Sequence, residues 1–438
     1  MKKFITTIRN IFSIEELRTR ILNTLGFLII FRLGSFVVLP GVDPSRLEGD
    51  AGGIFGLLDT FLGGAFSNAS IFGLGIMPYI SASIVIQLLT VAVPYFQRLQ
   101  KEGDSGRKKI TQITRVLTIF ITFGQGIGYL SYAVPAEAIL IDRFFFTVSA
   151  LIILTSGTIF CMWLGEKITD KGIGNGISML IMIGIISRFP GAIVAEFLSK
   201  GMNGALLFVI EIVALFFVVM AAVMLTQAVR RIPVQYAKQV VGNKVYGGQR
   251  QYIPLKVNAS GVMPIIFAQS LMFLPGLIAS IWADSNDLAQ SIGSTFADFT
   301  SWQYNLVFGV LIILFTFFYT AITINSKQIA DDMKRNGGFV PGVKPGQPTA
   351  EFIDSVLSRI TLPGSLFLAI IAIMPAIASV AGITTEFSYF YGGTSLLIMV
   401  GVILDTLQQI ESYLLMRHYE GMMKSGRIKG RSENAAVA

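Results

Sequence analysis

Residues 144–165 read FFFTVSALIILTSGTIFCMWLG and residues 116–136 read VLTIFITFGQGIGYLSYAVPA, and neither stretch holds an Asp, Glu, Lys or Arg. About 20 apolar residues in helical conformation cross the hydrocarbon core of a bilayer. Each stretch is therefore a candidate span, and the two together make a membrane hairpin. Working outward, the windows Ile71–Gln97, Val257–Ala283, Phe299–Ser326, Ile360–Thr385 and Phe387–Leu404 are equally charge-free. Ile21–Leu39 is interrupted only by Arg32, Gly201–Val229 only by Glu211, and Gly172–Ser187 is shorter and glycine-rich. The composition agrees: 53% of the 438 residues are hydrophobic and 14% are charged, against about a quarter charged in soluble domains. The fold expected is an all-α polytopic membrane protein with ten transmembrane helices.

Lys and Arg set the orientation of such a chain, because cytoplasmic loops retain them. With a cytoplasmic N-terminus and alternating loops, 29 of the 34 Lys and Arg fall on the cytoplasmic side. Only Arg46, Arg143, Arg188 and Lys200 fall on the other, and Arg32 lies within a span. A missed or surplus span would scramble this split, so ten spans with both termini cytoplasmic is the reading that fits. The first span is too long for a signal peptide and no small-x-small cleavage site precedes Pro40, so it is read as retained.

Enzyme signatures are absent. One cysteine, Cys161, and one histidine, His418, give neither a Cys/His metal set nor a nucleophile–base pair. Lys171-Gly172-Ile173-Gly174-Asn175-Gly176 lacks dinucleotide spacing, and no phosphate loop of the G-x-x-x-x-G-K-[ST] type occurs. The glycines are read as a helix start and as close helix packing. No cofactor and no metal is expected, and any ATP used must be hydrolysed by a partner. Glu211, Asp405 and Glu411 are the carboxylates assigned to spans, and charges there default to a functional reading. An ion-coupled secondary transporter of a small solute is therefore the alternative function.

Two loops, about 226–258 and 325–360, are longer than helix hairpins need. The first carries Arg230, Arg231, Lys238, Lys244, Arg250 and Lys256 and no acidic residue, which suits an acidic partner or RNA phosphates as well as ordinary cytoplasmic bias. The second carries Lys327 and a Pro/Gly tip, Phe339-Val340-Pro341-Gly342-Val343-Lys344-Pro345-Gly346, which imposes turns. Between the first two spans, IFGLLDTFLGGAF at 54–66 is apolar but too short to cross. It is read as a re-entrant half-helix, with a helix lying flat at the interface as the other possibility.

The runs FGLGIMPYISAS (72–83), GDSGR (103–107), Gly172–Ser178, PLKVN (254–258), Phe339–Gly346 and YGGTSLLI (391–398) resemble those of the SecY family, the channels of protein export. The resemblance extends from Phe31 into the C-terminal tail. It implies two pseudo-symmetric halves in inverted repeat, about 1–200 with spans 1–5 and 201–438 with spans 6–10. Between them would run a pore that passes unfolded polypeptides and opens sideways to release transmembrane segments into lipid.

By motif match the resemblance assigns an apolar pore ring to Ile76, Ile80, Ile177, Ile181, Ile266 and Ile398. It assigns a plug to 54–66, with Ile54, Leu58, Asp59, Phe61 and Leu62, and a lateral gate to Gln87, Gln125 and Asn258. The basic residues of the two loops, including Lys327 and Lys344, become docking residues. The partners implied are the SecE and SecG subunits, the SecA ATPase, the ribosome, signal peptides and preproteins, and membrane lipid, but not DNA. The site implied is a bacterial plasma membrane. Two positions depart from the family pattern: Asn243 where a basic residue usually precedes Lys244, and Lys344 where the tip usually carries Arg. Lysine lacks the bidentate fork of a guanidinium. A scaffold or insertase working without SecA would share the fold.

Overall fold

The computed structural model describes residues 14–47, 59–60, 62–201, 204–236, 239–241, 244–246, 250–269, 271–272, 295 and 298–424. In chain order its helices are α1 (Glu15–Ser35), α2 (Met77–Ala92), α3 (Pro94–Lys101), α4 (Asp104–Ala133), α5 (Arg143–Lys171), α6 (Gly176–Lys200) and α7 (Ala205–Gln227). Strands β1 (Val229–Tyr236), β2 (Gln239–Val241), β3 (Lys244–Tyr246) and β4 (Arg250–Lys256) follow, then α8 (Trp302–Thr323), α9 (Ser326–Arg335), β5 (Gly338–Phe339), α10 (Gln347–Val380) and α11 (Gly393–Lys424). Residues 263–269 are also helical.

Among the described residues, seven helices are long and apolar enough to cross a membrane, and the bent pair α2–α3 supplies an eighth. The pair turns by 96° where Val93 precedes Pro94, as expected of a residue that proline drives out of the helical region. The other two expected spans correspond to α1 and to the window Val257–Ala283, of which 270 and 273–283 lie outside the described residues. The chain is a helical polytopic membrane protein.

Helix starts follow capping chemistry. Asp142 accepts from Phe144 N at 3.2 Å ahead of α5, Asn325 from Gln328 N at 3.2 Å ahead of α9, and Ser301 Oγ from Tyr304 N at 3.3 Å ahead of α8.

The chain forms two compact units: Met1–Asp50, Phe61–Ser187 and Val402–Ala438 in one, Ala51–Thr60 and Arg188–Gly401 in the other. In the first unit α2 packs on α4, α4 on α5, and α1 on α5. A Cβ at Gly157 of α5 would sit 2.2 Å from the Ile71 carbonyl oxygen, so glycine is what admits that approach. Cys161 is buried within α5. In the second unit α8 and α9 pack on α10, a helix of 34 residues.

Two boundaries differ from the sequence reading. The fifth span is the 25-residue α6, which runs through Arg188, Glu196 and Lys200. The rule that spans are charge-free stops too early here, because all three charges are paired inside the fold. The last span starts at Gly393, not Phe387: Tyr389–Tyr391 make a tight turn, and Gly393 follows at φ +64°.

The long loops are folded, and strands appear where none was expected. β1 pairs antiparallel with β4 from Val229↔Lys256 to Gln235↔Arg250 and pairs on its other edge with β5 through Gln235↔Phe339 and Tyr236↔Gly338. Ile232, Val234, Leu255, Met333, Val340, Ile353 and Leu357 form one buried cluster beneath this sheet. Most of 325–360 is α9 and the start of α10, leaving 336–346 as the turn-rich tip. Gly337, Gly342 and Gly346 all take positive φ there.

Candidate functional site

The expected ring isoleucines sit at helix starts. Ile76 precedes α2 with near-helical φ and ψ, and Ile80 N donates to its carbonyl at 3.1 Å. The pair is one turn apart on one face. Ile76 is buried and Ile80 half-buried. Asn175 Oδ1 accepts from Ile177 N at 3.1 Å and Ser178 N at 3.4 Å. This cap starts α6 so that Ile177 and Ile181 again share a face. Ile181 is buried and Ile177 half-buried.

In the second unit, Ile266 lies one turn before Gln269, and Ile398 one turn after Thr394. Thr394 Oγ1 donates to Gln269 Oε1 at 3.3 Å. That bond ties together the segments carrying Ile266 and Ile398. Ile266 is half-buried and Ile398 buried.

Of the expected plug residues, Ile54, Leu58 and Phe61 lie outside the described residues. Asp59, Thr60 and Leu62 are helical, and 63–69 are turns in which Gly63 and Gly64 take φ +62° and +92°. Arg32, in the last turn of α1, donates from Nη1 to the Gly63 carbonyl at 3.0 Å. Tyr129 OH donates to the Phe66 carbonyl at 2.9 Å. Asp59 is buried, and its Oδ2 forms an ion pair with Arg188 Nη2.

The expected gate amides are spread out. Gln87 on α2 is half-buried and donates to Ser83 Oγ at 3.4 Å. Gln125, on the neighbouring α4, is exposed. Asn258 sits at the root of the β1–β4 hairpin, where Val257 N donates to the Ala228 carbonyl at 2.9 Å. Ser260 Oγ donates to Asn258 Oδ1 at 3.4 Å.

Of the expected docking residues, Lys238 lies outside the described residues, as does Asn243. Arg230 and Arg231 on β1, Lys256 on β4, Lys327 on α9 and Lys344 at the tip are exposed. Lys244 and Arg250 begin β3 and β4. The shared sheet and apolar cluster therefore mount residues from both loops on one body.

One group of residues escaped the sequence reading. Glu196 is fully buried on α6, with Lys200 one turn on. Lys200 Nζ lies 3.4 Å from Glu196 Oε1, 3.1 Å from Glu211 Oε1 and 2.6 Å from the Gly382 carbonyl. Glu196 Oε2 accepts from the backbone N–H of Thr384 at 2.8 Å and from its hydroxyl. Glu211 is legible as a span carboxylate, whereas the charge-free window ends at Ser187, which leaves Lys200 among the loop charges and Glu196 unremarked. Their four-residue spacing beside Glu211 was the available signal. Asp405 and Glu411 are exposed on α11.

Comparison with known proteins gives a consistent result. Residues 70–407 match the SecY family model. The chain is 43% identical to the protein translocase subunit SecY of Streptomyces coelicolor, over 96% of its own length and all of that protein. It is 40% identical to the SecY of Mycobacterium tuberculosis strain H37Rv over 97% of its length. A solved structure described as that of a protein-conducting channel matches with TM-score 0.64 at 17% identity, covering 90% of this chain and 92% of that one. Sec61 in a canine ribosome-channel complex matches with TM-score 0.60 at 16% identity, covering 90% and 92%. These relatives do not support the transporter alternative.

Proposed function

The chain belongs to the SecY family, and on that premise we propose that it is the central channel of a protein translocase, passing unfolded polypeptides across the membrane and releasing transmembrane segments sideways into lipid. The observation that carries this is similarity along the whole chain, 43% identity over 96% of its length, together with the helical membrane fold.

The two halves, 1–200 and 201–438, enclose the pore. Its waist is the ring Ile76, Ile80, Ile177, Ile181, Ile266 and Ile398. An apolar constriction blocks ions by dewetting, and having no fixed polar geometry it yields to any passing side chain. The segment 54–66 closes the resting channel, and the Asp59–Arg188 ion pair holds it. Gln87, Gln125 and Asn258 line the lateral gate. A hydrogen bond between helices in lipid contributes around 1 kcal/mol, weak enough for an apolar signal sequence to displace.

The chain works as a channel, not an enzyme, and the energy comes from outside it. SecA or a ribosome docks on Arg230, Arg231, Lys238, Lys244, Arg250, Lys256, Lys327 and Lys344. SecE and SecG complete the assembly, in a bacterial plasma membrane with both termini cytoplasmic. Docking together with a signal sequence at the gate shifts the population to the open state. The test is reconstitution of the chain with its small partner subunits and SecA in vesicles. ATP-dependent import of a preprotein is expected; solute uptake without import would overturn the proposal.

A further inference from the structure

The C-terminal part of α6, from Arg188 to Lys200, is fastened at both ends within one compact unit. At one end Arg188 holds Asp59. At the other, Glu196 accepts from Thr384, and Lys200 reaches Glu211 and the Gly382 carbonyl. Phe189 adds a ring contact to Phe390 at 5.0 Å. Three of these fastenings go to the stretch 382–390, which runs directly into Gly393 and α11. Tyr391 OH then donates to the Glu211 carbonyl at 2.5 Å and closes the assembly.

Arg188 needs such support. Pro190 lies inside α6 and has no N–H to return to the carbonyl of Ile186. The turn carrying Arg188 is therefore weakly held by the helix itself, and its direction has to come from the contacts beyond it. Arg188 and Glu196 are about 12 Å apart along the axis at 1.5 Å per residue, a short, stiff reach. Glu196 Oε1 has only its ion pair with Lys200, and Glu211 Oε2 is buried without a hydrogen bond. A buried charge cluster that is incompletely satisfied is weak evidence for added stability, and fixed geometry is the use it serves here.

We infer that Glu196 and Lys200 are positioning residues for the channel seal: by anchoring α6 to Glu211, Gly382 and Thr384 they keep Arg188 aimed at Asp59. The seal and the entry to α11, which carries Ile398, then share one mount. This inference rests on the reading of 54–66 as the closing segment.

The experiment uses the full chain in lipid vesicles, with Cys161→Ser as background. Asp59→Cys and Arg188→Cys are combined, and the rate of joining by a short bifunctional thiol reagent is measured. Adding Glu196→Gln, Lys200→Met or Thr384→Val is expected to slow joining by about threefold or more, within the usual range for remote coupling. An unchanged rate in all three overturns the inference. Resting ion leak is measured separately with the thiol pair absent. Arg188→Gln and Glu196→Gln should each raise it, and the double variant should leak no more than Arg188→Gln alone, as for residues acting through one contact. Additive leaks mean independent action and overturn the inference. Slowed joining with no leak in Arg188→Gln upholds the positioning role and instead removes the reading of 54–66 as a seal.

Discussion

Gln235 of β1 and Phe339 of β5 are register partners in one sheet, so loops separated by some hundred residues of sequence fold as a single body. Leu357, Ile353 and Val340 form part of the apolar layer beneath it. Leu357→Ala is expected to destabilise that body by about 2–5 kcal/mol, the range for emptying a packed aliphatic site. Limited proteolysis should then cut both loops together. Cleavage of 226–258 with 336–346 still protected would show that the two loops fold separately.

The proposed isoleucine ring predicts a change in conductance. Replacing Ile76, Ile177 and Ile398 together with asparagine hydrates the constriction, and resting ion conductance in planar bilayers should rise. An unchanged conductance would place these side chains away from the ion path.

The proposed docking residues predict a salt-dependent loss. Arg230→Glu with Arg231→Glu should slow association of the proposed partners, SecA or ribosomes, chiefly at low ionic strength, because exposed charges steer encounter and are screened by salt. Lys344→Arg works in the other direction. A guanidinium in place of the ammonium adds a charged hydrogen bond of about 1.5 kcal/mol, roughly tenfold in Kd. Binding isotherms for the two variants check both expectations.

Asp43 predicts an acid limb. Its carboxylate accepts from the Ser45 hydroxyl at 2.7 Å and from the Ser45 N–H at 3.1 Å, and these bonds, the hydroxyl's first, hold its pKa below 3.8. A carboxylate with a lowered folded value contributes stability that is present above 3.8 and is lost as pH falls through the folded value. Asp43→Asn keeps the cap and should flatten this part of a melting-temperature curve recorded below 3.8. A limb of unchanged size would assign it to other carboxylates.

Long charge-free windows and basic loops made the spans and the sidedness argument readable from the sequence. They failed where charges neutralise each other across the fold. Arg188, Glu196 and Lys200 look like loop residues until Asp59, Glu211 and Thr384 are seen beside them. The β1–β4 hairpin was hidden because its inward residues, Ile232, Val234 and Leu255, are separated by Pro233 and flanked by Arg231, Gln235, Pro254 and Lys256 in so short a run that basic charge and proline dominate the reading. The isoleucines were visible only through motif likeness, since an isoleucine in a membrane helix has no signature of its own. The structure adds their local setting, such as the Asn175 cap ahead of Ile177 and the Thr394–Gln269 bond between the segments of Ile266 and Ile398.

The hydrogen bond between Ala228 and Val257 has a mechanical meaning. With eight residues in β1, the hairpin reaches roughly 26 Å from that bond at about 3.3 Å per residue. It is therefore a strut of that length, braced by β5 and the apolar layer, with Asn258 at its root. A partner proposed to dock at the far end of the strands would be held off from Asn258 by that whole span, on a mount stiffened along its side.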